Sequence, residues 1–230
     1  MTILESVFRR KMSAEAKMED TYLHKGLRKK LVEEIKRKGI NNVDVLNAIN
    51  KVPRHLFMDS SFIHFAYKDQ AFPIAANQTI SQPYTVAVQT QLLDISKGNK
   101  IFEVGTGSGY QTAVLLELGA KVFTIERHKV LNLGAQTLLP KLGYYPHFFY
   151  GDGFEGLPTY APFDRILVTA ACEEIPEKLV VQLKVGGRMV IPVGSRSSQS
   201  MVLVEKIDDS EIKTSHHGDF VFVPMLKGKE

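Results

Sequence analysis

The segment IFEVGTGSGY, residues 101–110, determines the fold of this 230-residue chain. An apolar run typical of a buried strand ends at Val104, glycines occupy positions 105, 107 and 109, and a helical pattern begins at Tyr110. Glycines at such a junction let the backbone approach a ligand closely, and the first turn of the helix offers free N–H groups. The segment therefore predicts a ligand-binding turn between a strand and a helix.

The spacing of these glycines separates several kinds of nucleotide site. A dinucleotide site has the pattern G-x-G-x-x-G/A, which requires a small residue at the position that Tyr110 occupies. A P-loop requires Gly-Lys-Ser/Thr, and that sequence does not follow. Glu103 precedes Val104 and the first glycine, where its carboxylate would repel a pyrophosphate but would suit a ligand with an ammonium group. The turn thus argues against NAD and against a P-loop nucleotide.

Two further acids follow the next predicted strands. Glu126 lies at the end of the second strand, and Asp152 lies between Gly151 and Gly153 at the end of the third. In that position Glu126 can bind both hydroxyls of a ribose, and Asp152 can accept from an adenine amino group. Either acid alone could instead be a helix N-cap or a surface charge. Together with Glu103 they predict a crevice for a ligand with an amine, a ribose and an adenine but no phosphate, which describes S-adenosylmethionine.

The pattern around this segment predicts an α/β fold. Short apolar runs that predict strands alternate with helical stretches, which is typical of a mostly parallel sheet covered by helices. The runs are 100–104, 121–125, 146–150, 165–169 and 187–193, and the helical stretches are 85–95, 110–118, 129–142 and 176–183. Later runs at 201–206, 211–214 and 220–224 have no helices between them and predict antiparallel strands.

The chain before residue 85 has a different character. Apolar spacing predicts one helix between Asp20 and Gly39 and a second from Asn42 to just before Pro53, whereas residues 1–18 lack an apolar period. Residues 54–84 are aromatic and rich in turns, which predicts a packed loop region. We therefore expect three parts, namely an N-terminal helical and substrate-loop region at 1–84, a cofactor-binding core at 85–194 and a C-terminal strand region at 195–230.

Composition excludes several classes of protein. The single cysteine, Cys172, excludes a disulfide framework and a multi-cysteine metal site, and no metal is expected. No apolar run approaches the ~20 residues of a membrane span, and no signal peptide is evident, so a cytoplasmic protein is expected. The net charge of +4 arises from residues 1–40, which carry 11 basic and 6 acidic side chains. This basic segment could guide a nucleic acid or an acidic substrate, or it could be a solvated helical face.

From about residue 52 to residue 226 the chain resembles the protein-L-isoaspartate (D-aspartate) O-methyltransferases. The motif that is specific to this family is its active-site loop, TISQPY at 79–84, whereas the glycine turn is common to many methyltransferases. The other similar segments are VPRHLF at 52–57, AFPI at 71–74, GDG at 151–153, VGGRMVIPVG at 185–194 and FVPM at 222–225. Two departures are Cys172, where the family often has a small apolar residue, and the loosely matched segment before Val52.

The resemblance implies a Rossmann-like α/β fold of the class I S-adenosylmethionine-dependent methyltransferase kind. It also implies an enzyme that transfers a methyl group from S-adenosylmethionine to the free α-carboxyl of L-isoaspartyl, and of D-aspartyl, residues in damaged proteins. It implies that Ser81 is the active-site hydroxyl and that other residues contact the substrate: Thr79, Ile80, Gln82, Val223 and Pro224. It also implies a set of cofactor-binding residues: Glu103, Gly105, Thr106, Gly107, Glu126, Asp152 and Gly153. The expected partners are isoaspartyl-containing proteins and peptides, with neither membrane nor nucleic acid, and we expect a monomer.

The chemistry of this reaction agrees with the side chains present. An α-carboxyl has a pKa of about 3.3–3.7 and is an anion at neutral pH, so its attack on a cationic sulfonium requires no general base. The rate should come from alignment of the reacting atoms and exclusion of water. A serine hydroxyl that hydrogen-bonds to the carboxylate is suited to that task.

Three other functions are compatible with parts of the sequence. Cytosine-5 methyltransferases use a cysteine near the fourth strand, but the two acids after Cys172 would raise the pKa of its thiol. Adenine amino-methyltransferases have Asn/Asp-Pro-Pro-Tyr/Phe, which SQPY at 81–84 partly resembles. A module that binds an adenosyl ligand without catalysis is the third alternative. Specific, salt-sensitive binding to nucleic acid would favour the second, and cofactor binding without turnover the third.

Overall fold

A seven-stranded sheet lies at the centre of the computed structural model, which describes residues 19–195 and 197–230. The expectation for residues 1–18 therefore concerns residues outside those described. A separate two-stranded hairpin precedes the sheet in the chain. The strands are β1 (Phe72–Pro73), β2 (Thr79–Ile80), β3 (Lys100–Val104), β4 (Lys121–Glu126), β5 (His147–Tyr150), β6 (Phe163–Val168), β7 (Leu183–Gly194), β8 (Gln199–Lys206) and β9 (Ile212–Phe220).

The order of strands in the large sheet is β5-β4-β3-β6-β7-β8-β9. The five strands from β5 to β7 are parallel, and β8 and β9 continue the sheet in antiparallel pairing. The predicted Rossmann-like class I fold with C-terminal antiparallel strands is thus confirmed. Because β3 lies between β4 and β6, the carboxyl ends of these three strands meet at one edge, where an open α/β sheet binds its ligands.

Helices cover both faces of the sheet. They are α1 (Tyr22–Arg37), α2 (Val43–Lys51), α3 (Pro83–Leu93), α4 (Tyr110–Glu117), α5 (Lys129–Lys141) and α6 (Glu177–Gln182). Ile101 of β3 packs with Leu93 and Leu115 on the face that α3 and α4 cover, whereas Phe102 packs with Leu179 of α6 on the opposite face. This alternation follows from the two-residue period of a strand.

The N-terminal helices pack onto this core. Asn42 caps α2 because its side chain accepts hydrogen bonds from two backbone N–H groups of the first turn. Ile35 of α1 and Ile49 of α2 are fully buried in the cluster that also contains Val86 of α3. Burial of each such aliphatic side chain contributes about 1.5–3 kcal/mol, so the two helices are an integral part of the core.

Residues 54–84 connect these helices to α3 without long regular elements, as predicted. Three short 3-10 turns occur at Arg54–Phe57, Ser60–Phe65 and Ala75–Asn77, and the last of these joins β1 to β2. Pro73 pairs with Thr79, and Phe72 pairs with Ile80. Ser81 follows directly after this hairpin.

Several expected helix and strand bounds are wrong. The strands predicted at 187–193 and 211–214 are longer, at Leu183–Gly194 and Ile212–Phe220. The helix predicted at 85–95 begins at Pro83, since proline fits the first turn, and ends at Leu93 because Asp94 has a left-handed φ of 51°. The strand predicted at 220–224 does not form: β9 extends to Phe220, and the following segment makes only a single parallel bridge, between Pro224 and Ala171. Pro224 has no N–H to donate to a ladder. No described helix is long and apolar enough to cross a membrane.

Candidate active site

A cavity of about 890 Å³ opens where the carboxyl ends of β3, β4 and β6 meet. The glycine turn lines one side, and the loop that contains Ser81 lines another. The chain after β9 closes the cavity from a third direction. The lining includes eleven of the thirteen predicted site residues: Thr79, Ile80, Ser81, Gln82, Gly105, Thr106, Gly107, Glu126, Gly153, Val223 and Pro224. Glu103 and Asp152 are not among the lining residues.

The glycine turn is held by a hydroxyl from the neighbouring strand. Thr169, which follows β6, places its Oγ1 2.9 Å from the carbonyl oxygens of both Val104 and Gly105. Gly105 has a φ of +94°, and a Cβ at this position would lie 2.4 Å from the Thr169 Oγ1. Only glycine therefore fits, and the backbone of the turn faces the cavity with no side chain in the way.

Glu126 is buried at the end of β4, and both of its carboxylate oxygens bind backbone N–H groups. One oxygen accepts from Gly107 and the other from His128, each at 2.9 Å. These bonds fix the carboxylate beside the glycine turn while it still lines the cavity. A carboxylate has about four acceptor positions, so this one can also accept from a diol.

Glu103 is fully buried below the turn rather than in the cavity. One carboxylate oxygen accepts from the Thr112 hydroxyl at 2.5 Å, and the other has no hydrogen-bond partner. Burial raises the pKa of Glu103 to about 7; the Thr112 hydrogen bond partly offsets this effect, and the charge of Glu126 adds to it. An unpaired oxygen under the turn is an acceptor for a cationic or N–H-bearing ligand or for a bridging water.

The Asp152 carboxylate accepts hydrogen bonds from two backbone segments. Its Oδ1 accepts from Phe154 N at 2.8 Å, and its Oδ2 accepts from Gly228 N at 2.6 Å. The carboxylate thus joins the turn after β5 to the C-terminal residues. Gly153, next to it, lines the cavity, and a Cβ there would lie 2.4 Å from Val104 Cγ1.

The Ser81 loop lines the same cavity as the glycine turn. Ser81 is half-buried, and its hydroxyl makes no hydrogen bond to any described residue, so it is available to a ligand. Thr79 is exposed and Ile80 is buried. Gln82 is engaged within the protein, since its amide nitrogen donates to the Asp69 carboxylate at 3.0 Å.

Asp69 organises this loop, and sequence reasoning missed it. Besides Gln82, its carboxylate accepts from the backbone N–H of Tyr84 at 2.8 Å and from the ammonium of Lys38 at 2.6 Å. Lys38 follows α1, so a residue of the basic N-terminal region is joined to the Ser81 loop. The signal in the sequence was a lone acid in a stretch without periodicity, which is insufficient to identify such a role.

The segment after β9 forms the remaining wall. Ala171 N donates to the carbonyl of Val223, and Met225 N donates to the carbonyl of Ala171, each at 2.8 Å. These bonds hold Val223 and Pro224 at the cavity in an extended conformation. His217 and Asp219 of β9 also line the cavity and were not predicted.

Two other groups of reactive side chains do not form part of the cavity. Burial raises the pKa of the Cys172 thiol to about 12, and its sulfur lies 3.3 Å from the Met225 sulfur. Asp20, His24 and His55 have potential metal-ligand atoms within 4.8 Å of one another. Both oxygens of Asp20, however, bind the Arg28 guanidinium at 2.9 Å.

The residues fit S-adenosylmethionine on three structural grounds. Gly105 and Gly153 have no side chains, so a flat group can lie against their backbone. Glu126 offers acceptors at the end of β4, and Glu103 retains an unpaired buried oxygen under the turn. These carboxylate oxygens match a ligand with hydroxyl, N–H or cationic groups.

Known proteins agree with this assignment. Residues 26–230 match the sequence profile of the family described as protein-L-isoaspartate(D-aspartate) O-methyltransferase. The chain is 56% identical over 213 residues to the protein-L-isoaspartate O-methyltransferase of Christiangramia forsetii, an alignment that covers 92% of this chain and 100% of that protein.

Two solved structures have the same fold. A protein-L-isoaspartate O-methyltransferase structure superposes with a TM-score of 0.78 at 27% identity, covering 86% of this chain and 65% of that one. A putative Plasmodium falciparum enzyme of the same name, in complex with S-adenosyl-L-homocysteine, gives a TM-score of 0.76 at 25% identity and covers 87% and 99% of the two chains.

The parallel sheet, the glycine turn and the acids around it define a class I S-adenosylmethionine-dependent methyltransferase. Within that class, the chain belongs to the protein-L-isoaspartate(D-aspartate) O-methyltransferase family. The resemblance stated from the sequence is thereby confirmed, together with the expected enzyme class and cofactor.

The buried Glu103 predicts a pH dependence of stability. Because the pKa is about 7 in the folded protein against an ordinary 4.5, the unfolded chain loses this proton first as the pH rises. The free energy of unfolding should therefore fall by about 3 kcal/mol between pH 4.5 and pH 7 and then level off. Glu103→Gln removes this contribution, so its stability relative to the wild-type protein should increase over that range. Denaturant titrations at several pH values measure it, and a constant difference between the two proteins would contradict it.

Proposed function

We propose that this protein transfers the methyl group of S-adenosylmethionine to the free α-carboxyl of L-isoaspartyl residues, and of D-aspartyl residues, in damaged proteins, and that it acts as a cytoplasmic monomer. The observation that carries the proposal is that the Ser81 loop and the glycine turn line one and the same cavity. A volume of about 890 Å³ suits a cofactor together with one substrate side chain.

The residues divide between the two ligands. Gly105, Thr106, Gly107, Glu126 and Gly153 would hold the cofactor from the side of the parallel strands. Glu103 and Asp152 would act from just outside the lining, the first through its unpaired oxygen and the second next to Gly153. When bound, S-adenosylmethionine supplies a methyl carbon on a positively charged sulfur, which an anionic oxygen can attack.

The substrate side requires binding and orientation rather than proton removal. The α-carboxyl is already an anion at neutral pH. The Ser81 hydroxyl, which is free of internal hydrogen bonds among the described residues, would donate to one carboxylate oxygen and fix its direction. Thr79 and Ile80 would contact the substrate next to it, and Gln82 would keep the loop in place through Asp69. Val223 and Pro224 would contact the peptide backbone.

The burial of Cys172 argues against the alternative that used it. A thiol with a pKa of about 12 is almost entirely protonated at neutral pH and is therefore a poor nucleophile. The free Ser81 hydroxyl and the carboxyl chemistry together favour a protein carboxyl methyltransferase over a base methyltransferase.

The substrate can be tested with two peptides that differ only in having isoaspartate or aspartate at one position. We expect the protein to transfer labelled methyl groups from S-adenosylmethionine to the isoaspartyl peptide and to give a base-labile ester. Only in isoaspartate does the chain continue through the side-chain carboxyl, which leaves the α-carboxyl free. Equal labelling of both peptides, or of neither while the cofactor binds, would contradict the proposal, and RNA and DNA would be tested next.

Ser81→Ala should lower kcat by about 10- to 100-fold, the value of one hydrogen bond to a charged group, and leave cofactor affinity almost unchanged. Methyl transfer to the isoaspartyl peptide and calorimetric binding of S-adenosylhomocysteine measure the two effects. Ser61→Ala, at an exposed serine outside the cavity, is the control and should have wild-type activity. An equal loss of turnover and cofactor affinity would exclude an orienting role for Ser81.

Asp152→Ala should weaken cofactor binding by at least about tenfold, or about 1.4 kcal/mol, because the carboxylate also fixes the turn beside Gly153. Asp208 offers a matched control, since it likewise accepts from backbone N–H groups, of Ser210 and Glu211, but in an exposed turn. Asp208→Ala should bind the cofactor normally. Unchanged affinity in Asp152→Ala would remove Asp152 from the site.

A further inference from the structure

Arg54 is completely buried, and its guanidinium binds three backbone carbonyls from different parts of the loop region. Nη1 donates to Ala66 O at 2.7 Å, and Nη2 donates to Gln70 O and to Ser81 O, each at 3.0 Å. The last of these bonds connects Arg54 directly to the backbone of the residue whose hydroxyl faces the cavity.

The same guanidinium contacts both halves of the site. Its Cζ lies 5.8 Å from the centre of the Phe72 ring, which belongs to the hairpin before Ser81. It lies 5.6 Å from the centre of the Tyr110 ring, which begins α4 immediately after the glycine turn. Arg54 thus packs between the loop assigned to the substrate and the turn assigned to the cofactor.

Arg54 lies within ion-pair distance of no described carboxylate, and the Asp69 carboxylate favours its charge from farther away. Among the described residues it forms no ion pair, and its Nε has no hydrogen-bond partner. Burial lowers the pKa of Arg54 to about 10, which leaves the group cationic at neutral pH. A buried cation without an ion-pair partner is destabilising unless other groups bind it, and here three backbone carbonyls do so. The same charge favours an anion that binds next to Ser81.

We propose that Arg54 is the positioning residue of the methyl transfer: it fixes the Ser81 loop relative to the glycine turn, and its unpaired charge favours binding of the substrate carboxylate. This inference rests on the proposed function. A displacement of about 1 Å of the nucleophilic oxygen can cost about 100-fold in rate, so a side chain that spans the two loops has a direct effect on turnover.

The test compares Arg54→Lys, which keeps the charge, with Arg54→Met, which removes it. Arg165 is a matched control, because it also donates to backbone carbonyls, those of Leu93 at 2.5 Å and Asp94 at 2.9 Å, but at the end of α3 that is remote from Ser81. Measurements on each full-length protein are kcat and KM with the isoaspartyl peptide, calorimetric binding of S-adenosylhomocysteine, and hydrogen exchange of the amides in residues 79–82.

We expect kcat to fall about tenfold in Arg54→Lys and about 100-fold in Arg54→Met, with S-adenosylhomocysteine affinity within about threefold of wild type. KM should rise in Arg54→Met more than in Arg54→Lys, since only the former lacks the charge. Amides of residues 79–82 should exchange faster in both variants. Arg165→Met should lose stability but keep wild-type kcat and exchange in this loop.

A folded Arg54→Met protein whose kcat and KM both stay within about threefold of wild type would overturn the proposal. A parallel loss of kcat and S-adenosylhomocysteine affinity would also overturn it, because it would indicate a general structural role. If Arg54→Met does not fold, Arg54→Lys decides: unchanged kcat and unchanged exchange at 79–82 would refute the inference. Failure of the proposed function is distinguishable, since the wild-type protein itself would then not form the ester.

Discussion

The contact between Thr169 and the end of β3 is the constraint on which the site depends. Because the Thr169 hydroxyl lies 2.9 Å from the carbonyl oxygens of Val104 and Gly105, the chain must leave β3 with a left-handed residue and without a side chain. That turn exposes its backbone to the cavity and starts α4 directly behind it. The position of Glu126 follows, since its carboxylate accepts from the Gly107 N–H of the same turn. A single strand-to-strand contact thereby fixes the turn and the acid beside it.

Local sequence patterns were sufficient to predict β3, the glycine turn and the start of α4. The bounds of β3 at Lys100–Val104 and the start of α4 at Tyr110 agree with the sequence interpretation, because a buried parallel strand and a glycine turn are recognisable within about ten residues. The roles of Arg54 and Asp69 were not predictable in that way. Each joins segments that lie 12 to 31 residues apart in the sequence and have no periodic pattern, so only the folded chain brings their partners together.

The three acids at the strand ends differ in the direction of their side chains. The sequence located all three near the carboxyl ends of β3, β4 and β5, but it did not give the direction of each side chain. Glu103 is one residue before the end of β3 and alternates with Phe102, so its carboxylate is directed under the helix layer, where it meets Thr112. Glu126 is the last residue of β4 and lines the cavity, and Asp152 lies beyond β5, where it binds Gly228. The position of each acid relative to the end of its strand therefore decides whether its carboxylate lines the cavity.

The distribution of buried charge matches the two reactants. Glu103 and Glu126 are buried on the side of the parallel strands, where the cofactor with its ammonium and sulfonium groups is assigned. Arg54 is buried behind the Ser81 loop, where the carboxylate of the substrate is assigned. Charges in such surroundings are weakly screened, so a cation near Glu126 and an anion near Arg54 would both be favoured. A nearby cation would also favour the ionised form of Glu103, whose pKa is about 7. This distribution of buried charge supports the proposed placement of cofactor and substrate, in which methyl transfer needs no general base.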